Sequence, residues 1–457
     1  MLIRKKSLQQ LVKQVLRQRV QQGCDLDIDG FTQRIEAAAD SYDALYALAL
    51  ELRSPDTRPD WTYSEPLDWS GICEASPLLD LRRSWQQPDL ALAAENVESA
   101  FLGSLCGCML GKPIEVDPTL EELRAAGTAC GEWPLEDYVS EAFLGALGRR
   151  HESAGDTVRE ALNCAVADDD IHYSLIGMLL LEEFGDEFEQ EQLARLWAMN
   201  MPPLWTWGAE RSALLGLGLE QHHVLKQTDF SSYHDVLMLN PGDESCGAMI
   251  RVDAYGYACP GNPDLAAWLA FKDASLTHTR TGVYGAMFVA ALIALCHTAG
   301  SDLRGNARLE LVELALKRIP ARSRLAAIIT DSLDRVTSAD NWQEAYQSIH
   351  GRYQQYTHCQ MYQEIGTLIN TLKFAESVGQ GICIQVSQGN DTDSFGATAG
   401  SVLGCLLGPG HLEQKWLAPL NNRIAHGLCD LHEYEMSTLA ARMKQLPALV
   451  YWASTQA

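Results

Sequence analysis

The sequence predicts an all-α fold, and two observations support this prediction. Apolar residues recur with the 3.6-residue period of an amphipathic helix along most of the chain. Strict alternation of apolar and polar residues, which is typical of a half-buried β-strand, is almost absent. The sequence also contains no internal repeat, low-complexity tract or glycine-rich nucleotide-binding loop. We therefore expect a protein built mainly from packed helices.

The composition is that of a large globular protein. The 457 residues are 47% hydrophobic and 21% charged, which is enough for a sizeable core. A formal net charge of −25 repels nucleic acids and anionic membranes, so we expect neither as a partner. No apolar stretch reaches the ~20 residues of a membrane span. The same negative charge attracts cations, which suits a metal-dependent enzyme.

The 13 cysteines form no pattern typical of disulfides or structural zinc. Cys106 and Cys108 make only a CxC motif, whereas structural zinc sites use paired CxxC spacing. The others are scattered, several of them within apolar helical runs, as at Cys164, Cys296 and Cys405. This pattern favours reduced core thiols in a cytoplasmic protein.

The first 90 residues differ in sequence pattern from the rest of the chain. Ser7 is positioned to cap a helix that ends at Gly23, and a second helix is predicted over about 29–52. The proline-containing stretch 54–60, with aromatic residues after it, predicts an extended connector that packs against the protein. The first 22 residues are basic and lack acids, as in a transit peptide, but an amphipathic surface helix explains them better. We place a domain boundary near residue 90, which separates an N-terminal extension (1–90) from a larger domain (91–457).

Two predicted helices in the larger domain carry glycines spaced four residues apart. Each glycine inside a helix costs about 1 kcal/mol relative to alanine. A spacing of four places each set on one ridge, where two backbones can approach closely. We therefore expect two central, tightly packed helices. The two sets are Gly103, Gly107 and Gly111, and Gly396, Gly400, Gly404 and Gly408.

Most of the remaining chain also has helical periodicity. A helix after residue 170 is predicted to stop at Gly185, and the segment 287–296 is apolar on all sides, which predicts a buried helix. Four further helices are predicted at 309–319, 324–336, 341–353 and 361–378.

Two acidic clusters, far apart in the sequence, each precede an apolar helical run. The first is Asp168, Asp169 and Asp170, and the second is Asp391, Asp393 and Ser394. Either cluster alone is also explained as an ordinary helix start, because acids favour helix N-termini. Oxygen ligands are, however, what Mg²⁺, Mn²⁺ and Ca²⁺ prefer. We therefore hypothesise that the clusters converge on a pair of divalent ions about 3.5–4 Å apart.

Each further candidate functional residue also has an ordinary structural explanation. Glu115 follows the proline that ends the first glycine helix, and it is otherwise an ordinary surface acid. The segment 247–251 offers small residues followed by Arg251, which suits a phosphate, or else a salt bridge. His278 is a candidate ligand or a hydrogen-bonded core histidine. Trp205, Trp207, Glu210 and Arg211 line a pocket in one interpretation and serve packing in the other.

Taken in this order, five segments resemble the ADP-ribosylglycohydrolase family over roughly residues 95–430. That resemblance implies an orthogonal multi-helix bundle with a two-Mg²⁺ site. Each motif is weak alone, but five in the same order are specific. The segments are Gly-Cys-Met-Leu-Gly-Lys-Pro-Ile-Glu at 107–115, Asp-Asp-Asp at 168–170, Gly-Ala-Met-Ile-Arg at 247–251, Thr-His at 277–278 and Gly-Asn-Asp-Thr-Asp-Ser at 389–394.

The resemblance assigns roles to individual residues. It implies metal ligation by Asp168, Asp169, Asp170, Asp391, Asp393 and Ser394. It implies catalysis by Glu115, Asp169 and Asp170, and substrate contacts by Gly247, Ala248, Arg251 and His278. Two positions depart from the family pattern: Asp168 stands in place of a threonine, and Ile171 in place of a threonine or serine. The extra carboxylate is expected to make the site more negative, and Mn²⁺ or Ca²⁺ are alternatives to Mg²⁺.

The expected function is that of a metal-dependent hydrolase. It would remove ADP-ribose from a modified protein or small molecule by cleaving the glycosidic bond at the anomeric carbon. Two alternatives stay open. One is a related hydrolase of a free nucleotide-sugar or nucleoside, and the other is a non-catalytic ADP-ribose-binding or structural homologue.

Overall fold

The computed structural model describes residues 4–53, 55–83, 85, 88–224 and 240–453, and the side chains of 218–224 and 452–453 are not described. Residues 1–3 and 54, which fall in predicted elements, lie outside these ranges. The described residues form helices α1 to α23. These are Lys5–Gln21, Ile28–Ala37, Tyr42–Glu51, Trp69–Ala75, Leu90–Gly111, Leu120–Cys130, Glu141–Leu147, Ala154–Thr157, Asp169–Phe184, Gln190–Asn200, Gly208–Val224, Asp253–Ala258, Pro263–Ala274, Arg280–Cys296, Asn306–Leu316, Arg324–Ser338, Trp342–Tyr353, Tyr362–Phe374, Val378–Ser387, Thr392–Leu407, Gln414–Leu417, Met436–Met443 and Leu446–Ala453.

The fold is all-α, as the sequence predicts. Within the described ranges the only β-type pairings are isolated bridges, such as the one between Thr119 and Gly389. The predicted stop at Gly185 is confirmed, since α9 ends at Phe184. The predicted buried segment 287–296 lies within α14, whose residues from Thr281 to Cys296 are all buried. Among the described helices, none combines the length and apolarity needed to cross a membrane.

Helices α1 to α3 enclose a small hydrophobic core of their own. The predicted single helix over 29–52 is wrong, because it is two helices separated at residues 38–41. Ser41 starts the second one by accepting a hydrogen bond from the N–H of Ala44 at 3.2 Å. The predicted cap at Ser7 is also wrong, since α1 already begins at Lys5. The small core contains Leu8, Val12, Val15, Leu16, Phe31, Ile35, Ala38, Leu45, Leu48, Ala49 and Leu52.

The connector after α3 packs on the larger domain. The ring of Trp69 lies 4.5 Å from that of Trp268 and 5.1 Å from that of Phe271. The hydroxyl of Tyr284 donates a hydrogen bond of 2.6 Å to the carbonyl oxygen of Pro66. The aromatic residues therefore attach the connector, as the sequence led us to expect.

The predicted helix over 361–378 is also two helices in the structure. Helix α18 ends at Phe374, and α19 begins at Val378. Ser377 caps the new helix by accepting the N–H of Gln380 at 3.1 Å. The apolar period continues across this break, so periodicity alone does not show the interruption.

The glycine ridges of α5 and α20 face each other in an antiparallel pair. A Cβ on Gly103 would lie 2.6 Å from the carbonyl oxygen of Gly400, and a Cβ on Gly396 would lie 2.5 Å from that of Gly107. No side chain fits between the backbones at these points. The close approach runs to the ends of the helices, where the hydroxyl of Thr392 donates to the carbonyl oxygen of Gly111 at 2.9 Å. The C-terminal end of α5 is therefore fixed against the N-terminal end of α20.

Candidate metal centre

Helix α9 begins at the first acidic cluster. Asp168 has extended backbone geometry and is the N-cap residue, and its Oδ1 accepts the N–H of Asp170 at 3.0 Å. Asp169 and Asp170 form the first turn, where the helix dipole favours negative charge. Asp168 therefore caps the helix, as the alternative explanation of this cluster predicts. The carboxylate of Asp170 has no capping role.

The second cluster follows a tight turn before α20. Gly389 and Asn390 both have left-handed backbone conformations, with φ of 79° and 60°. A Cβ on Gly389 would lie 2.9 Å from the carbonyl carbon of Pro118, so the turn requires glycine there. Asn390 donates its N–H to the carbonyl oxygen of Pro118 at 2.8 Å, and asparagine tolerates this conformation. The turn delivers Asp391 to the N-cap position of α20.

Lys112 joins the two acidic clusters. Its Nζ lies 2.7 Å from Oδ2 of Asp168 and 2.7 Å from Oδ2 of Asp393. These two carboxylate oxygens are therefore no more than twice that distance apart, although the residues are far apart in sequence. The same ammonium lies 2.7 Å from Oε2 of Glu115. The structure thus brings the first cluster, the second cluster and Glu115 to one place.

The acids of this centre have strongly shifted pKa values. Burial, reinforced by neighbouring carboxylates, raises the pKa of Asp169, Asp170 and Asp391 well above the usual range. Burial also opposes ionisation of Asp393. The Lys112 ammonium and several hydrogen bonds outweigh that effect and lower the pKa of Asp393 to about 2. The one lysine therefore determines which carboxylate carries charge most readily.

Glu115 lies at the edge of the centre, after a short 3₁₀ helix at Lys112–Ile114. Burial of its carboxyl end and the negative charge of Asp393 raise the pKa of Glu115 to about 10, although 31% of the whole side chain is exposed. His151 lies on the outer side, with Nε2 3.6 Å from Oε2 of Glu115. Burial and the neighbouring Asp393 thus oppose ionisation of Glu115, which is partly exposed.

The donor set fits a hard divalent cation. Both carboxylate oxygens of Asp170 are buried and have no hydrogen-bond partner, which is costly unless a cation lies nearby. Two groups offer ligand atoms within 4.8 Å of one another: Cys108 with Asp168 and Asp170, and Glu115 with Asp391 and Asp393. Carboxylate oxygens suit Mg²⁺, Mn²⁺ and Ca²⁺. Burial raises the pKa of the Cys108 thiol, so it contributes no thiolate. Ser394, the remaining candidate ligand, lies beside Asp393 and donates its N–H to Oδ1 of that residue at 3.0 Å.

The segment carrying Gly247 and Ala248 is a 3₁₀ helix at Cys246–Arg251. Arg251 is only 1% exposed, and its Nη1 lies 2.7 Å from Oε1 of Glu210. The same guanidinium donates to Oδ1 of Asp273 at 2.5 Å. A Cβ on Gly247 would lie 2.6 Å from the carboxyl carbon of Glu210, so a larger residue here would displace the carboxylate that pairs with Arg251. All of these contacts of Arg251 are internal, and they hold the 3₁₀ helix in place.

His278 lies next to this cluster and is 1% exposed. Its Nδ1 is 2.7 Å from the hydroxyl of Thr277, and its Nε2 is 3.6 Å from Oε1 of Glu210. Burial, together with the positive charge of Arg251, lowers the pKa of His278 well below the usual range. The imidazole is therefore neutral, and the structure places it among Glu210, Arg251 and Thr277.

The N-terminal extension contacts the segment that leads into the 3₁₀ helix. Gln18 of α1 donates a hydrogen bond to Oδ1 of Asp243, and Arg19 lies 3.6 Å from Oδ2 of the same residue. The carbonyl oxygen of Asp243 in turn accepts the N–H of Thr279, directly after His278, at 2.6 Å. The extension therefore supports both segments that carry predicted substrate contacts.

A groove of about 440 Å³, called here the α1 groove, separates α1 from the larger domain. Arg17 and Gln18 line it on one side, and Ser245 and Cys359 on the other. Cys246, the next residue after Ser245, donates its thiol to Oδ2 of Asp391 at 3.5 Å. The α1 groove therefore reaches to within one residue of the candidate metal centre.

Two residues of the site were not assigned a role from the sequence. Lys112 is 8% exposed. Its position in Gly-Lys-Pro-Ile-Glu, at the end of an apolar helix, is a sequence signal for a buried ion pair, because a buried ammonium needs carboxylate partners. Glu210 was named only as a pocket residue or packing residue, yet it is 4% exposed and pairs with Arg251. Burial raises the pKa of Glu210 to about 7, against the opposing charge of Arg251.

The chain is similar to a solved structure and to a protein family. A solved structure titled "ADP-ribosylglycohydrolase-related protein complex" is 18% identical, with a TM-score of 0.48, and the match covers 79% of this chain and 99% of that one. So distant a likeness carries no argument about activity. No curated protein matches the chain. The family model described as ADP-ribosylglycohydrolase matches residues 89–447. Because this match spans most of the sequence, the chain belongs to the ADP-ribosylglycohydrolase family.

Proposed function

We propose that the protein is a hydrolase that cleaves the glycosidic bond at the anomeric carbon of ADP-ribose, on a modified protein or a small molecule, with the help of a divalent cation. The observation that supports this most is the meeting of two remote acidic clusters at Lys112. Membership of a glycohydrolase family supports the same reaction class. The 13 cysteines are free, which favours a reducing compartment such as the cytoplasm.

The carboxylates of both clusters, with the hydroxyl of Ser394, would hold the cation. A bound divalent cation supplies Lewis acidity, which orients substrate oxygens and lowers the pKa of a bound water. Asp170 contributes two unpartnered oxygens to this set. The set consists of Asp168, Asp169, Asp170, Asp391, Asp393 and Ser394.

Glu115 is the residue proposed to exchange a proton with the substrate. Burial and the charge of Asp393 raise its pKa to about 10, and its side chain is 31% exposed. A protonated carboxyl beside the scissile bond donates to the leaving-group oxygen or nitrogen as positive charge develops on the sugar. Glu115 therefore fits the role of general acid, with Asp169 and Asp170 as the other catalytic carboxylates.

Gly247, Ala248 and His278 are proposed to contact the substrate, as the family resemblance implies. The internal contacts of Arg251 favour a different role for that residue, because the two short bonds to Glu210 and Asp273 occupy its guanidinium. We therefore propose that Arg251 positions the 3₁₀ helix and does not itself bind the diphosphate.

The test is release of ADP-ribose. The protein is incubated with mono-ADP-ribosylated arginine or serine peptides and Mg²⁺ or Mn²⁺, and free ADP-ribose is quantified. We expect release with the wild type, loss of at least 100-fold in rate with Asp391→Asn, and an unchanged rate with Asp334→Asn, which alters an exposed aspartate on α16. No release from any acceptor with any divalent cation contradicts the proposal.

Two alternatives are separated in the same assay. Adding NAD, free ADP-ribose and nucleosides as substrates distinguishes a related hydrolase from one that acts on modified proteins. The second alternative, an ADP-ribose-binding protein without turnover, is favoured by one observation: Lys112 occupies oxygens that a metal ion would use. Calorimetric binding of ADP-ribose without release of product from any substrate would establish it.

A further inference from the structure

We infer that the ammonium of Lys112 takes the place of one divalent cation, so that the centre holds one metal ion together with Lys112 and not a pair of ions. This inference deepens the proposed function and depends on its metal centre. It concerns the number of ions, which can be measured without any substrate.

The ammonium of Lys112 is surrounded by acids. An ammonium has three N–H donors and no acceptor. Nζ of Lys112 has three carboxylate oxygens at 2.7 Å, from Glu115, Asp168 and Asp393. Nζ donates hydrogen bonds to Glu115 and Asp393 and forms an ion pair with Asp168, and these three acids lie on separate segments of the chain. Lys112 is therefore held as a ligated cation is held, at the junction of both acidic clusters.

The remaining carboxylate oxygens differ between the two sides of the centre. Oδ1 of Asp168 accepts the N–H of Asp170 at 3.0 Å, and Oδ1 of Asp393 accepts the N–H of Ser394 at 3.0 Å. Oδ2 of Asp393 accepts a hydrogen bond from Lys112, whereas Oδ2 of Asp168 and both oxygens of Asp170 are buried without a hydrogen-bond partner. The centre therefore keeps unsatisfied buried ligands for an ion at Asp168 and Asp170, while Lys112 bonds to Glu115 and Asp393 on the other side.

Lys112 is not free to leave the centre. It is 8% exposed, and it directly follows Gly111, whose carbonyl oxygen is bound by Thr392. Moving its ammonium out would leave two buried carboxylates, Asp168 and Asp393, without their cation, which is strongly unfavourable. A divalent ion needs oxygens at about 2.1 Å, so it cannot share the three oxygens with an ammonium in the same position.

The charge of Lys112 also matches one departure from the family pattern. Asp168 adds a carboxylate where a threonine is expected, and Lys112 lies 2.7 Å from that carboxylate. Lys112 therefore neutralises the added negative charge inside the centre, so the site is less negative than the extra carboxylate alone led us to expect.

The experiment counts ions on the full chain. The purified protein is titrated with Mn²⁺, bound metal is measured by elemental analysis, and the electron paramagnetic resonance spectrum shows whether the ions are isolated or coupled. We expect one Mn²⁺ per chain with the six-line spectrum of an isolated ion. Two ions per chain with a coupled spectrum, or no bound ion, would overturn the inference.

Variants identify the cause. Lys112→Ala is expected to bind two Mn²⁺ ions with a coupled spectrum, whereas Lys317→Ala, which removes an exposed lysine, should still bind one. If Lys112→Ala does not fold, Lys112→Met keeps the packing of the side-chain stem and is counted in the same way. A variant that folds and still binds one ion rejects Lys112 as the substitute cation. Hydrolysis is measured separately. One bound ion without activity would support the inference and contradict the proposed function. Two bound ions with activity would contradict the inference and support the proposed function.

Discussion

A Cβ added to Gly396 would lie 2.5 Å from the carbonyl oxygen of Gly107, so α5 and α20 touch through their backbones. This contact fixes the two helix ends that carry Lys112 and Asp393. The glycines are therefore part of the metal centre's support, although they lie outside it.

Gly396→Ala is expected to force the two helices apart. Overpacking of this kind destabilises a protein by about 1–3 kcal/mol, and the end of α20 should shift with it, so metal affinity falls as well. Urea unfolding and Mn²⁺ titration measure the two effects. Gly351→Ala is the matched control, because a Cβ there meets nothing within 4 Å. That change should stabilise the exposed helix by about 0.4–1 kcal/mol, and equal behaviour of the two variants would contradict the prediction.

Asp170→Asn is expected to stabilise the metal-free protein and remove its response to metal. The carboxylate is 3% exposed with no partner for either oxygen. Replacing it with a neutral amide should raise the free energy of unfolding in EDTA by roughly 1–2 kcal/mol. Thermal unfolding with EDTA and with Mn²⁺ measures both parts. Asp334→Asn should behave as the wild type, and a preserved metal-induced rise in Tm in Asp170→Asn would show that Asp170 is no ligand.

Arg251→Ala is expected to cost about 3–5 kcal/mol of stability, because it leaves the buried carboxylates of Glu210 and Asp273 without their cation. The comparison is Arg34→Ala, which removes an exposed pair with Glu51 at 2.6 Å and should cost less than about 1 kcal/mol. Denaturant unfolding gives both values. If Arg251→Ala lowers the free energy of unfolding by less than Arg34→Ala does, Arg251 has no structural role and is again a candidate substrate contact.

Asp253 is expected to give stability a pH dependence that does not involve the metal centre. Burial raises its pKa to about 7, against opposing hydrogen bonds from Ser401 and Ser104. The unfolded chain has a value near ~3.9, so between about pH 4 and pH 7 the folded state binds a proton that the unfolded state does not. This group therefore makes the free energy of unfolding fall as pH rises through that window.

Asp253→Asn removes this titration. The free energy of unfolding of the variant should increase relative to that of the wild type as pH rises from 4 to 7. The difference should reach on the order of 2–4 kcal/mol at pH 8 and stay constant above that. Urea unfolding at one-unit pH intervals measures it. Stability curves that run parallel over this range would show that Asp253 titrates normally.

Arg324→Ala is expected to loosen the N-terminal extension. Its guanidinium lies 2.7 Å from Oε2 of Glu65 and 2.5 Å from Oε1 of Glu244, so it joins the connector to the segment before the 3₁₀ helix. Hydrogen exchange should become faster in α1 and the connector, while α5 and α20 stay protected. Arg352→Ala, which alters an exposed arginine, serves as the control. Unchanged exchange in α1 would show that other contacts hold the extension.

Much of the architecture could be predicted because it depends on local periodicity. The helix that carries Gly103, Gly107 and Gly111, the stop at Gly185 and the buried run at 287–296 follow from apolar spacing and glycine positions. The failures are equally local in origin. The breaks at Ser41 and Ser377 depend on single hydroxyl caps inside segments whose apolar period continues, so periodicity does not reveal them.

The order and content of the acidic motifs were determined by the sequence alone, because a carboxylate's preference for hard cations and for helix starts is a property of the residue itself. What only the tertiary structure decided is how those carboxylates are used. Lys112 lies 281 positions from Asp393, and no spacing rule connects them. They meet because two bare glycine ridges let α5 and α20 approach until their ends touch, and that contact places an ammonium where sequence reasoning expected only metal.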